Sequence, residues 1–477
     1  MLCSPMSLED CLYPLRRFYE GAPQPVKSVL GGAYRALPVG LRQGKRHSLF
    51  AAEARASARW SEQEIREYQI TALRDSLLAA NEAPFYRQRF AAAGVRPSEF
   101  SSLNHLDAYP LLSKQDVLHN GGQMVNPLLP SASRLHMTTG GSSGVPVGFE
   151  LHKGVSRPKE QAYLEAQWGR RGWRPGDRTA VIRGAVTSGK ASGSISYFDA
   201  TRNWLVLSSY HLTPDRLIDY VAALNRFRPQ HLHMYPSAAL LLARGLEASG
   251  LKLTFPITSL LCGSEKLTAA GQRYLQQIFA APVLHWYGHS ERAVLAAQGT
   301  TSDRLYFWPG YGYVEFASPD ADGLCEIIAT SFHNHVMPLI RYRTGDYVHE
   351  NGIDLGGGEF VWPSVDGIVG RGYEFLVSRT GRRISLTAIN MHDRIFDGLL
   401  AVQFYQNTAG MVEVRLQPGS QWQHTRQPSI EAGLLAKLGD DFTLQFRVVD
   451  QVEKTVAGKH RWLITEFDAT EPDFLVP

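Results

Sequence analysis

Between residues 135 and 340, short β-prone runs alternate with stretches of helical spacing, and no other feature of the chain limits its fold so strongly. The runs are TAVIRG (179–184), WLVLSS (204–209), HLHMYP (231–236), ITSLLC (257–262) and PVLHWYG (282–288). Between them lie helical patterns such as PDRLIDYVAALNRF (214–227) and SAALLLARGLEA (237–248). A chain that keeps switching between a two-residue and a 3.6-residue period has to cover sheets with helices, so this region predicts an α/β domain built on layered sheets. From residue 61 to 94 the spacing is helical and closes on Gly94 after Phe-Ala-Ala-Ala, as helix ends often do. Beyond Gly370 the pattern changes to the strands AVQFYQ (401–406), MVEVRLQ (411–417) and LQFRVVD (444–450) around the helical PSIEAGLLAKLG (428–439). The expected division is a large N-terminal α/β domain over 1–370, with a helical lead-in over 1–60, and a small α+β domain over 371–477.

Composition narrows the functional classes. The 477 residues are 44% hydrophobic and 20% charged, enough for a large core in at least two domains. Lys+Arg 49 against Asp+Glu 45 leaves a net charge of +4, with no block of like charges, so nucleic acid is not an expected partner. The four cysteines, Cys3, Cys11, Cys262 and Cys325, form no CxxC pair, which fits a reducing compartment and a cytoplasmic location. Acidic residues interrupt the N-terminus where a signal peptide needs a continuous apolar stretch, and no run approaches the roughly 20 apolar residues of a transmembrane segment. Residues 12–41 mix apolar and basic side chains and read as a solvated helical lead-in.

Several motifs carry chemistry. In Met137-Thr-Thr-Gly-Gly-Ser-Ser-Gly-Val-Pro-Val-Gly148, small residues let backbone N–H groups and hydroxyls converge on an anion such as phosphate, although Gly/Ser-rich loops are more often ordinary turns. The loop lacks the Gly-Lys-Ser/Thr ending of a P-loop. His285-Trp-Tyr-Gly-His-Ser-Glu291 ends a β-prone run in a turn, where a ring can cover a purine and Glu291 can hold Mg²⁺; the alternative is a strand end with a surface glutamate. Met337-Pro-Leu-Ile-Arg-Tyr-Arg-Thr-Gly-Asp346 ends in a tight turn whose carboxylate can accept two ribose hydroxyl bonds, or can simply shape the turn. Gly370-Arg371-Gly372 offers a guanidinium for phosphate, and Thr455-Val-Ala-Gly-Lys459 a point charge on a loop. An isolated lysine near a chain end is usually solvated.

Taken in this order, the motifs resemble the adenylate-forming acyl-CoA synthetase superfamily, in particular the phenylacetate-CoA ligase branch and its CapK-like relatives. Pro84-Phe-Tyr-Arg87, Leu111-Leu-Ser-Lys-Gln-Asp116, Met234-Tyr-Pro-Ser237, Gly263-Ser-Glu265 and Gly323-Leu-Cys-Glu326-Ile-Ile extend the resemblance over most of the chain. It implies activation of a carboxylic acid by ATP with Mg²⁺, giving an acyl-adenylate and pyrophosphate, then transfer to a thiol such as coenzyme A. Thr138, Thr139, Gly140, Gly141, Ser142, Ser143 and Gly144 would hold the ATP phosphates. Gly263, Ser264, Glu265, Tyr287 and Gly288 would surround the adenosine, Ser290 and Glu291 would face phosphate and metal, and Asp346 would bind the ribose. Arg371 would sit at the domain hinge, and Lys459 would enter the site for adenylation. In the family the small domain then rotates and opens a thiol channel, for which Gly381 is the candidate position. The chain departs from the superfamily at Val147, where many members have lysine, and after Arg371, where Gly-Tyr-Glu374 replaces an acidic pair.

The acid is a small molecule, expected to be small or aryl, because Tyr235, Pro236, Ser237, Cys262 and His289 would supply a mixed aromatic and polar pocket, with Tyr210 to Leu212 nearby. Capture of the adenylate by an amine, a hydroxyl or a carrier protein is the main alternative, and a non-catalytic nucleotide-binding relative another. A metal hydrolase would use His231 with His233, or His285 with His289, but the sequence offers no evident third ligand.

Overall fold

The computed structural model describes residues 22–139, 147–184, 195–320, 323–369, 375–389, 394–396, 399–418, 422–453 and 463–465. The helical stretch after residue 60 is two helices. Glu62–Asn81 starts at a capping box in which Ser61 and Glu64 exchange side-chain and backbone hydrogen bonds. Pro84, which has no N–H to continue that helix, opens the next, Pro84–Ala92. The described part of the lead-in forms the helices Gln24–Ala36 and Val39–Ser57, the latter kinked at Gly44, whose φ is 83°. No helix among the described residues is long and apolar enough to cross a membrane.

Strands β1 (Arg134–Thr139) and β2 (Val147–His152) pair antiparallel, with Thr138 opposite Gly148. Each β-prone run of the central region then forms a strand. The series is β3 (Thr179–Arg183), β4 (Ser196–Asp199), β5 (Trp204–Ser208), β6 (His231–Met234), β7 (Ser259–Gly263), β8 (Val283–Gly288), β9 (Leu295–Gln298) and β10 (Leu305–Phe307). A separate antiparallel sheet holds β11 (Gly312–Phe316), β12 (Leu324–Ser331) and β13 (Tyr342–His349). Two short strands, β14 (Ile353–Asp354) and β15 (Ser364–Val365), return to the edge of the main sheet, whose order is β14-β15-β10-β9-β8-β7-β6-β3-β5-β4.

Within that ten-stranded sheet β5, β3, β6, β7 and β8 run parallel. The helices Leu217–Phe227, Pro236–Ser249 and Ala269–Phe279 connect successive strands from β5 to β8. Covered strands need apolar side chains on both faces, and every residue of β6 and β7 is buried. After β5 has paired on one side of β3, the chain returns to place β6 on the other. This reversal makes the carboxyl ends of β3 and β6 a topological switch point, where open α/β sheets leave a crevice for ligands.

The C-terminal part forms a small domain of its own pattern. A hairpin of β16 (Phe375–Val377) and β17 (Arg383–Ser385) precedes a four-stranded sheet ordered β20-β19-β18-β21, made of β18 (Leu399–Thr408), β19 (Met411–Pro418), β20 (Thr443–Val448) and β21 (Leu463–Thr465). Ile430, Leu434 and Leu438 of the helix Gln427–Leu438 are buried at helical spacing. The chain is therefore an α/β protein with a large mixed-sheet N-terminal region and a small C-terminal domain. The boundary anticipated at 370/371 lies outside the described residues.

Candidate active site

The site is assembled where β8 meets the turn inside β13. Two hydrogen bonds cross between them in opposite senses. The Tyr287 hydroxyl donates to Asp346 Oδ2 at 2.7 Å, and the Tyr342 hydroxyl donates to Glu291 Oε1 at 3.2 Å. Each motif thus contributes one phenol and one carboxylate to the other. Burial, then the neighbouring carboxylates, push both phenols well above their ordinary range, so they act as neutral donors.

The turn that presents Asp346 is fixed from below. Thr344 Oγ1 donates to the Ile327 carbonyl at 2.7 Å and accepts from the Asp346 amide at 3.1 Å, while the Gly345 amide donates to Glu326 Oε1 at 3.0 Å. Gly345 sits at a φ of 75°, open to glycine at little cost. The β12/β13 register shifts between Glu326 and Ile328, an irregularity that bends a strand and re-aims its side chains. The two arginines of the motif serve the scaffold. Arg343 pairs with Glu326, and Arg341 pairs with Glu315 and donates to the Asp107 and Tyr109 carbonyls.

Glu291 lies beside His289, whose Nδ1 is 3.1 Å from Glu291 Oε2. Burial raises the carboxyl, but the hydrogen bond and charge of His289, and the charge of Lys114, outweigh it and hold Glu291 at about 2. Burial likewise disfavours the imidazolium, yet Glu291 raises His289 above its ordinary value, and His289 Nε2 is buried without a hydrogen-bond partner among the described residues.

The end of β7 packs close by. A Cβ on Gly263 would meet the Trp286 ring at 2.2 Å, so only glycine lets that ring lie across the strand end. Ser264 follows in the left-handed region at φ 72°. The Glu265 carboxylate accepts from the Ser237 amide at 3.0 Å, bracing the first turn of Pro236–Ser249, and the Glu265 carbonyl accepts from His285 Nε2 at 2.9 Å. Cys262 and Tyr235 are buried in the core, and burial pushes the Cys262 thiol up to about 12, so it stays protonated.

Comparison with known proteins places this arrangement. The CapK C-terminal domain model matches residues 376–466. Protein CapK of Staphylococcus aureus is 23% identical over 365 residues, 76% of this chain and 80% of that protein. Phenylacetate-coenzyme A ligase of Pseudomonas putida is 29% identical over 308 residues, 59% of this chain and 66% of that one. In sequence the chain is similar to the CapK and phenylacetate-CoA ligase branch of the adenylate-forming ligases. In fold it is similar to 2-hydroxyisobutyryl-CoA ligase, solved with 2-HIB-AMP and CoA in its thioesterification state, at a TM-score of 0.55 and 18% identity over 85% of this chain and 90% of that one.

The structure gathers Gly263, Ser264, Glu265, Tyr287, Gly288, His289, Ser290, Glu291 and Asp346 around the ends of β7 and β8 and the β13 turn. Thr138 and Thr139 end β1. Residues 140–146, which include Gly140 to Gly144, lie outside the described residues, as do Arg371, Glu374 and Lys459. Gly381 occupies a turn at φ 79°, where its amide donates to the Ser378 carbonyl.

His231 and His233 are committed to other partners. His231 bridges Ser259 Oγ at 2.8 Å and Asp177 Oδ2 at 3.1 Å, while His233 Nε2 meets Arg183 at 2.7 Å. Among the described residues no group of three or more His, Cys, Asp or Glu side chains is placed to hold a metal. Two site residues were not singled out from sequence. Tyr342 stood inside the Arg-Tyr-Arg-Thr-Gly-Asp run, and Lys114 stood inside Leu-Leu-Ser-Lys-Gln-Asp, where Ser113 and Asp116 form a capping box that starts the helix Lys114–Asn120.

Proposed function

We propose that this protein activates a carboxylic acid with ATP and passes the acyl group to a thiol, coenzyme A being the expected acceptor. The observation that carries the reading is the reciprocal pairing of Tyr287 with Asp346 and of Tyr342 with Glu291. It sets two ionised or ionisable carboxylates side by side at a strand end, one suited to ribose hydroxyls and one to a cation. Similarity to the phenylacetate-CoA ligases supports the reaction class.

In this reading the substrate carboxylate attacks the α-phosphorus of ATP, and the bond from that phosphorus to the β-phosphate bridging oxygen breaks, releasing pyrophosphate. The thiol sulfur, after losing its proton, then attacks the acyl carbon and AMP leaves. The first step brings two anions together, so positive charge has to offset their repulsion. Thr138, Thr139 and the loop from Gly140 through Ser142 and Ser143 to Gly144 would donate to phosphates, and Lys459 would supply charge during adenylation. Lys114, close enough to lower the Glu291 carboxyl, adds a further cation. The Tyr287 ring would cover the purine beside Gly263, Ser264 and Gly288, and Asp346 would accept from the ribose.

Glu291 suits Mg²⁺. It is held ionised, and Tyr342, His289 and a backbone N–H use only part of its acceptor capacity, which leaves the rest for a hard cation that takes one or two carboxylates plus phosphate oxygens. Bound there with Ser290 nearby, Mg²⁺ would supply charge against the phosphates. We further propose that Arg371 lies at the hinge, that the domain over 371–477 rotates between the two half-reactions, and that Gly381 borders the thiol channel.

The test is ATP-dependent pyrophosphate release across aryl and short acyl acids, with and without coenzyme A. Acid-dependent release accelerated by coenzyme A supports the ligase, whereas ATP binding with no release for any acid would contradict it. The alternative acceptor is an amine, a hydroxyl or a carrier protein, which would capture the adenylate in place of the thiol. Release that ignores coenzyme A would point there.

A further inference from the structure

We propose that Arg183 makes this enzyme selective for acids that carry a second anionic group, a dicarboxylate being the simplest case; the inference rests on the ligase reading above. Arg183 ends β3, at the switch point where the order of parallel strands reverses. Its side chain reaches over the end of β6 to the end of β7. Nη1 donates to His233 Nε2 at 2.7 Å, Nη2 donates to Ser264 Oγ at 2.6 Å, and the guanidinium carbon lies 4.3 Å from the centre of the Tyr235 ring.

These partners aim the cation without neutralising it. A guanidinium is always a donor, so His233 accepts through Nε2 and is the neutral tautomer, in keeping with the downward shift that burial imposes on it. His233 is itself locked among Trp168, Trp204 and Trp286, with ring centroids 4.9, 6.2 and 5.5 Å away. Ser264 is held at a left-handed φ next to Gly263. Arg304, Arg341 and Arg343 each meet a carboxylate, but Arg183 forms no ion pair among the described residues.

Hydrogen bonds to neutral acceptors leave the guanidinium charge unbalanced. Bonds to His233 and Ser264, and a further one to the Tyr235 hydroxyl, use only part of its five N–H donors, so its fork can still receive an anion. Ser264 lies at the end of β7, and β8, which ends at Gly288, is the next strand, roughly 4.8 Å away. A short acid can therefore present one carboxylate to the Glu291 and Asp346 side and its second anion to Arg183. The competing source of that anion is a nucleotide phosphate, which the test separates.

The experiment compares matched acids, glutarate with valerate and 4-carboxyphenylacetate with phenylacetate, in wild type, Arg183→Gln and Arg183→Lys. Wild type should favour the doubly charged member in kcat/KM. Arg183→Gln should collapse that ratio by about 10- to 100-fold, the range for a hydrogen bond to a charged group, while Arg183→Lys keeps part of it and the KM for ATP barely moves. Preference of wild type for the singly charged members, or an equal loss for both members with a raised KM for ATP, overturns the proposal, and the second result assigns Arg183 to the nucleotide. Calorimetric binding of the dicarboxylates in the presence of AMP is independent of turnover. Binding that depends on Arg183 without any pyrophosphate release would keep the anion site and sink the ligase, whereas no Arg183-dependent binding would sink the anion site. Melting temperatures of both variants check folding.

Discussion

Replacing Tyr287 by Phe removes one oxygen and nothing else from the bond that joins the two halves of the site. The lost interaction is a 2.7 Å hydrogen bond to a carboxylate, made by a buried hydroxyl. Such charge-assisted bonds contribute about 1.5–3 kcal/mol, and about 1.4 kcal/mol is a factor of ten. The lower end applies, because the Asp346 amide stays fixed by Thr344 and the turn by Glu326. The expected result is about tenfold weaker ATP binding with an unchanged fold. Calorimetry with ATP, 2′-deoxy-ATP and 3′-deoxy-ATP provides the assay. If Tyr287 works by orienting Asp346 towards the ribose, the loss shrinks to about twofold for whichever nucleotide lacks the hydroxyl that Asp346 accepts. Equal losses for all three nucleotides, or none for ATP, would refute the link from phenol to carboxylate to ribose.

Glu291→Gln should raise the Mg²⁺ requirement for pyrophosphate release and lower the His289 titration point, read from imidazole proton shifts; an unmoved His289 would rule out the pair. The pH dependence in wild type has two signs. Because the folded Glu291 carboxyl is depressed to about 2, its stabilisation is complete above the ordinary value of 4.5 and is lost as pH falls towards 2. Because His289 is raised above 6.5, its stabilisation is present below 6.5 and is lost as pH rises through its folded value. Lys114→Ala should weaken ATP binding and flatten its salt dependence, and an unchanged salt dependence would remove Lys114 from the phosphate side. Gly263→Ala drives a Cβ into the Trp286 ring and should cost about 1–3 kcal/mol of stability, seen as a lower melting temperature with altered tryptophan fluorescence. Lys459→Ala should sharply lower adenylation but spare thiol transfer from a supplied acyl-adenylate, and equal loss of both half-reactions would contradict its role.

The sequence by itself determined the elements and the chemistry at each motif. All the β-prone runs from TAVIRG to PVLHWYG became strands, and the strands and helix beyond residue 370 appeared as read, because a period of two or 3.6 is written locally in consecutive side chains. It also determined the residue types, a phenol, a glycine and a carboxylate at 287–291 and a carboxylate after a glycine at 346. The break at Pro84 is legible in the same way, because proline has no N–H to continue the preceding helix. Only the tertiary structure decided which groups meet. Tyr287 bonds a residue 59 positions away, Tyr342 one 51 positions away, and Arg183 one 81 positions away. It likewise turned Arg341 and Arg343 into scaffold and Glu265 into a helix brace, and made Cys262 a core residue. Strand order, register and the bulge opposite Asp346 set those meetings, and they follow from how faces pack across the whole sheet, which no short window of sequence contains.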